Sequence, residues 1–73
     1  MELSDLEKFL TIAKFENLQR AADDLDTSAS VLSKSLKRLE TSIGVPLFDR
    51  VGKFIQINPA GERFDPNIME AML

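Results

Sequence analysis

Residues 28–43, "SASVLSKSLKRLETSI", concentrate the groups able to do chemistry. On a helical wheel, Leu36, Leu39 and Ile43 fall within roughly 40° of Leu32. Ser30, Ser33, Lys34, Lys37 and Thr41 fall on the far side, between roughly 100° and 200°. Small hydroxyls interleave with ammonium groups there, and no large apolar residue interrupts them. Such a face can lie close against a groove: hydroxyls reach base edges or phosphate oxygens, and lysines neutralise phosphate charge. The chemistry is recognition of a polyanion.

Charge is laid out to match. The chain carries 9 Lys+Arg against 12 Asp+Glu, a net −3. Residues 1–27 hold three bases against seven acids, whereas residues 28–53 hold five bases against two. The last twenty residues hold one base against three acids. A positive middle between negative ends suggests a local anion-binding face; the alternative is an ordinary solvated helix surface.

Other chemistries find little to work with. With no Cys and no His, disulfides, thiolate nucleophiles, the commonest general base and the commonest metal ligand are all missing. The three glycines are scattered and form no phosphate loop. Asp23 and Asp24 are sequence neighbours and diverge on a helix. Asp24, Asp26, Ser28 and Ser30 alternate like the opening of a calcium loop, but Ala29 stands where glycine is required and Ser35 where the bidentate glutamate belongs. No catalytic residue, metal or cofactor is expected. No apolar run approaches the roughly 20 residues of a membrane span, and "MELSDLEKFL" lacks the pattern of a signal peptide. The default location is the cytoplasm.

Seventy-three residues make one thin-cored domain, and its elements must position that face. "SDLE" fits a capping box, with Ser4 opening a first helix whose buried stripe is Leu3, Leu6, Phe9, Leu10 and Ala13. Asn17 caps a short second helix carrying Leu18, Ala21, Ala22 and Leu25, whose alanines permit close approach. Ser28 caps the third helix, Leu32, Leu36, Leu39 and Ile43 form its buried stripe, and Gly44 and Pro46 end it. A strand begins at Phe48, another covers Phe54–Ile57, and Val51–Gly52–Lys53 form the turn. Asn58 caps a last helix with Pro59 at its first position and Ala60, Phe64, Ile68 and Met72 along one side. Pro66 either kinks that helix or restarts it after Asp65. The pattern is mainly α: a winged helix-turn-helix of three helices and a two-stranded wing.

These residues resemble the LysR-type transcriptional regulators. The likeness covers residues 1 to about 64, through "LEKFLTIAKFENLQRAADDL", "TSASVLSKSLKRLETSIGVPLFDR" and "INPAG", with "LSKSLKRLE…IGVPLFDR" the most specific part. It implies an N-terminal DNA-binding domain over residues 1–57 and a linker or dimerisation helix over 58–73. It also implies a much larger effector domain, absent from these 73 residues, so no small-molecule effector is expected to bind this segment. Double-stranded operator DNA and a second copy of the chain are the implied partners. By position, Ser28 resembles the cap opening the recognition helix, while Ala29, Ser30, Ser33 and Lys34 match groove-facing positions. Lys53 matches the usually basic wing position, and Asn17 and Arg20 stand where the second helix meets the DNA backbone. Lys37 joins the set from the basic flank, and Phe64, Ile68 and Met72 match the dimer-facing side of the linker helix.

Four departures run against the pattern, one of them Lys53, which sits in a poorer wing than the family's usual arginine-rich one. Ala29-Ser30 replaces the usual Gln-Pro or Gln-Ser, which removes an amide able to read a purine. Asp26 is an acid where a neutral or basic residue is common, and Thr27 replaces an aliphatic core residue. The acidic total, Ala29 and Asp26 lean toward a rival reading: an interaction or dimerisation module of the same fold, with weakened or lost DNA binding.

Overall fold

The computed structural model describes residues 3–64. In chain order these form α1 (Leu3–Phe15), α2 (Leu18–Asp24), α3 (Ala29–Ile43), β1 (Phe48–Val51), β2 (Phe54–Ile57) and α4 (Pro59–Phe64). The expected three helices, wing and start of a fourth helix are all present. The question of a kink at Pro66 falls outside the described residues, as do Ile68 and Met72.

Helices α1, α2 and α3 pack on one another in every pairing. Ala21 and Ala22 on α2 are completely buried; their small side chains let the α2 backbone approach its neighbours closely. On α1 the buried line is Phe9 and Ile12, with Leu6, Leu10 and Ala13 half-buried beside it. This corrects the expected stripe at two places: Ile12 belongs in it, and Leu3, at 74% exposure, does not. Among the described residues packing takes hold only about a turn into the helix, which leaves Leu3 uncovered. Ser4 is likewise inside α1 rather than its cap, since the helix already includes Leu3. Asp5 in that first turn favours early helix formation by placing negative charge at the positive end of the helix dipole.

Helix α3 buries Leu32, Ser35, Leu36 and Leu39. The expected fourth member, Ile43, is 36% exposed. At about 1.5 Å per residue, α3 is roughly 23 Å long and α2 roughly 10 Å, so α2 cannot cover the full length of α3. Gly44 ends α3 in the left-handed conformation (φ 94°), its N–H donating to the Glu40 carbonyl at 2.8 Å.

The wing is an antiparallel pair in the register Phe48↔Ile57, Asp49↔Gln56, Arg50↔Ile55, Val51↔Phe54. Val51 is the last residue of β1, so the turn is Gly52–Lys53 alone. Gly52 (φ 60°) takes its first central position, where a tight hairpin needs a positive φ. Alternation puts Phe48, Arg50, Ile55 and Ile57 on the side facing the helices. Phe48 and Ile55 enter the core there, where Phe48 lies 5.3 Å from the Phe9 ring centre.

Asn58 joins the wing to α4. Its N–H donates to the Leu47 carbonyl (3.0 Å) and its amide nitrogen to the Pro46 carbonyl (3.0 Å). Its Oδ1 accepts from the Gly61 N–H (2.8 Å), the expected cap. Gly61 is buried, with no room for a side chain: a Cβ would collide with the Leu47 carbonyl oxygen and lie 2.6 Å from Ile57 Cγ1. One turn on, Phe64 sets its ring edge-on to Phe9, 5.2 Å between centroids.

Candidate nucleic-acid interface

The polar flank of α3 is positioned by what its other flank buries. With Leu32, Leu36 and Leu39 committed to the core, Ser30, Lys34, Lys37 and Thr41 stand exposed. The helix start is fixed by Ser28, whose Oγ accepts from the Val31 N–H at 3.1 Å. One lone pair of that hydroxyl is therefore spent on the helix end. Ala29 is half-buried and packs against the core. Only part of it faces outward. Ser33 is half-buried at the edge of the polar flank, and its Oγ accepts from Arg50 Nη2 at 3.3 Å. Further along, Lys34, Lys37, Arg38, Thr41 and Ser42 line an open hollow.

The turn between α2 and α3 explains one departure noted above. Asp26 has φ 56°. The Thr27 N–H donates to the Ala22 carbonyl at 2.9 Å and the Asp26 N–H to the Asp23 carbonyl at 3.2 Å. This is the capping arrangement that ends a helix through one left-handed residue. Asp and Asn tolerate that conformation better than other side chains. Asp26 thus has a backbone role whatever its charge does.

Asn17 opens α2, its Oδ1 accepting from the Arg20 N–H at 3.0 Å, and Arg20 is exposed. The wing is tied to this corner: the Ile55 N–H donates to the Glu16 carbonyl at 3.0 Å. Between the α2 start and the wing lies a groove of about 340 Å³ lined by Asn17, Leu18, Gln19, Arg50, Lys53 and Phe54, among others. Asn17 and Lys53, 36 positions apart in the chain, therefore face one space.

Arg50 is the residue that reading the sequence missed. It borders this groove and also reaches Ser33. It was counted among the bases of the positive middle, but strand alternation was needed to turn it toward the helices. Phe64 sits apart from this face, half-buried against Phe9. Among the described residues, no group of three or more His, Cys, Asp or Glu is placed to hold a metal. No described helix is long and apolar enough to cross a membrane.

Residues 3–62 match the family described as "Bacterial regulatory helix-turn-helix protein, lysR family". The chain is 44% identical over 64 residues to the uncharacterized HTH-type transcriptional regulator YybE of Bacillus subtilis (strain 168), covering 88% of this chain and 22% of that protein. To the HTH-type transcriptional regulator BudR of Raoultella terrigena it is 42% identical over 64 residues, with the same coverage of 88% and 22%. The chain thus spans about a fifth of the length of these curated relatives. Among solved structures it is similar to the CbnR DBD–DNA complex, with a TM-score of 0.87, 28% identity, and coverage of 99% of this chain and 83% of that one.

Proposed function

The chain belongs to the lysR family of bacterial regulatory helix-turn-helix proteins, and from that premise we propose that it binds double-stranded operator DNA in a sequence-selective way. Helix α3 enters the major groove. The groove between α2 and the wing receives the neighbouring sugar–phosphate backbone, and Lys53 at the wing tip meets the backbone or the minor groove. The observation that carries this reading is the division of α3: three leucines buried, Ser30, Lys34 and Lys37 exposed on the opposite flank. The solved likeness is itself a DNA complex, which supports the same docking.

The roles then divide by chemistry. Lys34, Lys37, Lys53 and Arg20 neutralise phosphate, a contribution that fixes position and carries no sequence information. Ser30 and Ser33 reach base edges. Ser28 and Asn17 act chiefly by capping, holding the two helices at the angle the duplex requires. The segment acts by binding, and no catalytic residue is assigned.

Two departures that favoured the rival reading have local explanations here. Asp26 supplies a left-handed residue, and Ala29 packs on the core; neither needs a lost DNA surface to account for it. We read residues 1–57 as the DNA-binding unit and 58–73 as a linker through which two copies pair, with Ile68 and Met72 toward the partner. Phe64 divides its surface between that partner and its own Phe9.

Selection of bound sequences from a random duplex library tests the proposal. A two-fold symmetric consensus is the expected product, because paired subunits read paired half-sites. Failure to retain any duplex at low salt would hand the chain to the interaction-module reading.

A further inference from the structure

We infer that Phe54 is a non-electrostatic DNA contact: its exposed ring packs on the deoxyribose faces of the strand that enters the groove between α2 and the wing, supplying apolar area where the wing is short of charge. The inference rests on the DNA-binding reading above and adds a contact to it.

Phe54 opens β2 opposite Val51, the last residue of β1. Alternation turns this pair away from the helices, because Ile55, one residue on, takes the inward position and is buried. Phe54 is left 56% exposed and Val51 52%. The other phenylalanines, Phe9, Phe15, Phe48 and Phe64, are all buried or half-buried. Packing across the ladder is the ordinary use of such a pair. Here the pair does not cover itself, since each side chain keeps more than half of its area in water.

The surroundings of the ring indicate what covers it. The bond from the Ile55 N–H to the Glu16 carbonyl holds β2 beside the start of α2. Phe54 therefore borders the same groove as Asn17, Leu18 and Gln19, with Arg50 and Lys53 completing the rim. Two amides, two cations and no carboxylate line this space. Arg50 also touches Ser33 on α3, so the groove runs on into the polar flank of that helix. An apolar peptide would cover the ring and leave both cations unpaired. One strand of a duplex answers both needs: its phosphates alternate with deoxyribose rings whose outer faces are C–H. The phosphates meet the cations and amides, and a sugar between them meets Phe54.

Charge and apolar contact leave different marks on affinity. Neutralising a phosphate releases counterions, and the slope of log affinity against log salt counts those events. Covering apolar area releases no counterions, so it raises affinity and leaves the slope alone. Covering about half of the exposed part of a phenylalanine side chain is worth about tenfold in affinity. A sugar is the same beneath every base, so the contact carries no sequence preference.

The test measures binding of the unaltered protein and of Phe54→Thr, Phe54→Gln and Lys53→Ala to the duplex recovered by selection, over a range of salt, with each base pair also substituted in turn. Threonine is accepted in strands, and glutamine gives the same comparison if threonine upsets the hairpin; circular dichroism checks both. Each Phe54 variant should bind about tenfold more weakly at every salt concentration, with the slope and all base preferences unchanged. Lys53→Ala should instead lose about 0.9 from the slope. Folded Phe54 variants that bind as tightly as the unaltered protein would overturn the inference and leave the DNA-binding reading standing. A slope that falls along with affinity would overturn it by placing position 54 among the phosphate contacts, and a changed preference at one base pair would do so by placing the ring on a base. Absence of duplex binding by the unaltered protein would remove the DNA-binding reading together with the inference.

Discussion

Gly61→Ala separates two physical effects that predict opposite signs. By helix propensity alone, alanine in α4 should stabilise by about 1 kcal/mol relative to glycine. The packing predicts the reverse. A Cβ at position 61 would strike the Leu47 carbonyl oxygen and come within 2.6 Å of Ile57 Cγ1. Neither obstacle yields easily: one is backbone, and the other is a methylene of a half-buried β-branched side chain. Helix α4 must therefore lift from the wing. Lifting strains the bonds Asn58 makes to Leu47, Pro46 and Gly61, each worth about 1 kcal/mol. Overpacking adds roughly 1–3 kcal/mol, so after the propensity gain a net loss of about 3–5 kcal/mol is expected. A chain of this size has only about 4–11 kcal/mol in total, so urea unfolding followed by far-ultraviolet circular dichroism should show a much lower midpoint with little change in slope. An unchanged or raised midpoint would refute the claim that α4 is seated on the wing through this glycine.

The other expectations concern the helix ends and the core. Asp26→Val should destabilise by about 1–2 kcal/mol, because a β-branched residue resists the left-handed conformation, whereas Asp26→Gly should be near neutral; thermal unfolding of the pair checks it. Glu40 Oε2 accepts the Leu47 N–H at 2.6 Å, so Glu40→Ala should cost about 1.5–3 kcal/mol and Glu40→Gln, which retains an acceptor oxygen, clearly less by the same assay. Phe64→Asp should lower the unfolding midpoint as well as weaken pairing of the subunits, because it removes a ring from Phe9; sedimentation together with denaturation would expose a purely interfacial role.

Local signals were readable from the sequence because their partners lie three or four residues away. Asn17, Ser28 and Asn58 cap as their positions implied, and Gly44 ends α3 with the left-handed turn expected of a glycine there. The leucine stripe of α3 was legible from period alone as far as Leu39. It failed at Ile43, because helix period cannot say where a packing partner ends. The same limitation misplaced Leu3 and passed over Ile12: several faces of α1 are apolar, and only the seating of α2 and α3 decides between them. Contacts that shape the candidate site join residues far apart in the chain. Arg50 reaches Ser33 across 17 positions, and Ile55 reaches Glu16 across 39. Gly61 in "INPAG" looked like a family signature without a physical reason until the Leu47 carbonyl was seen against it. Asp26 looked like a charge problem and proves to be a backbone solution.

The most direct test of the account is the salt dependence of duplex binding, measured for the unaltered protein and for Lys34→Ala and Lys37→Ala. Both lysines are exposed, so neither change should disturb folding. If each ammonium neutralises one phosphate, the plot of log affinity against log salt should lose about 0.9 from its slope per lysine removed. Slopes indistinguishable from that of the unaltered protein, with folding intact, would contradict the assignment of this flank of α3 to DNA.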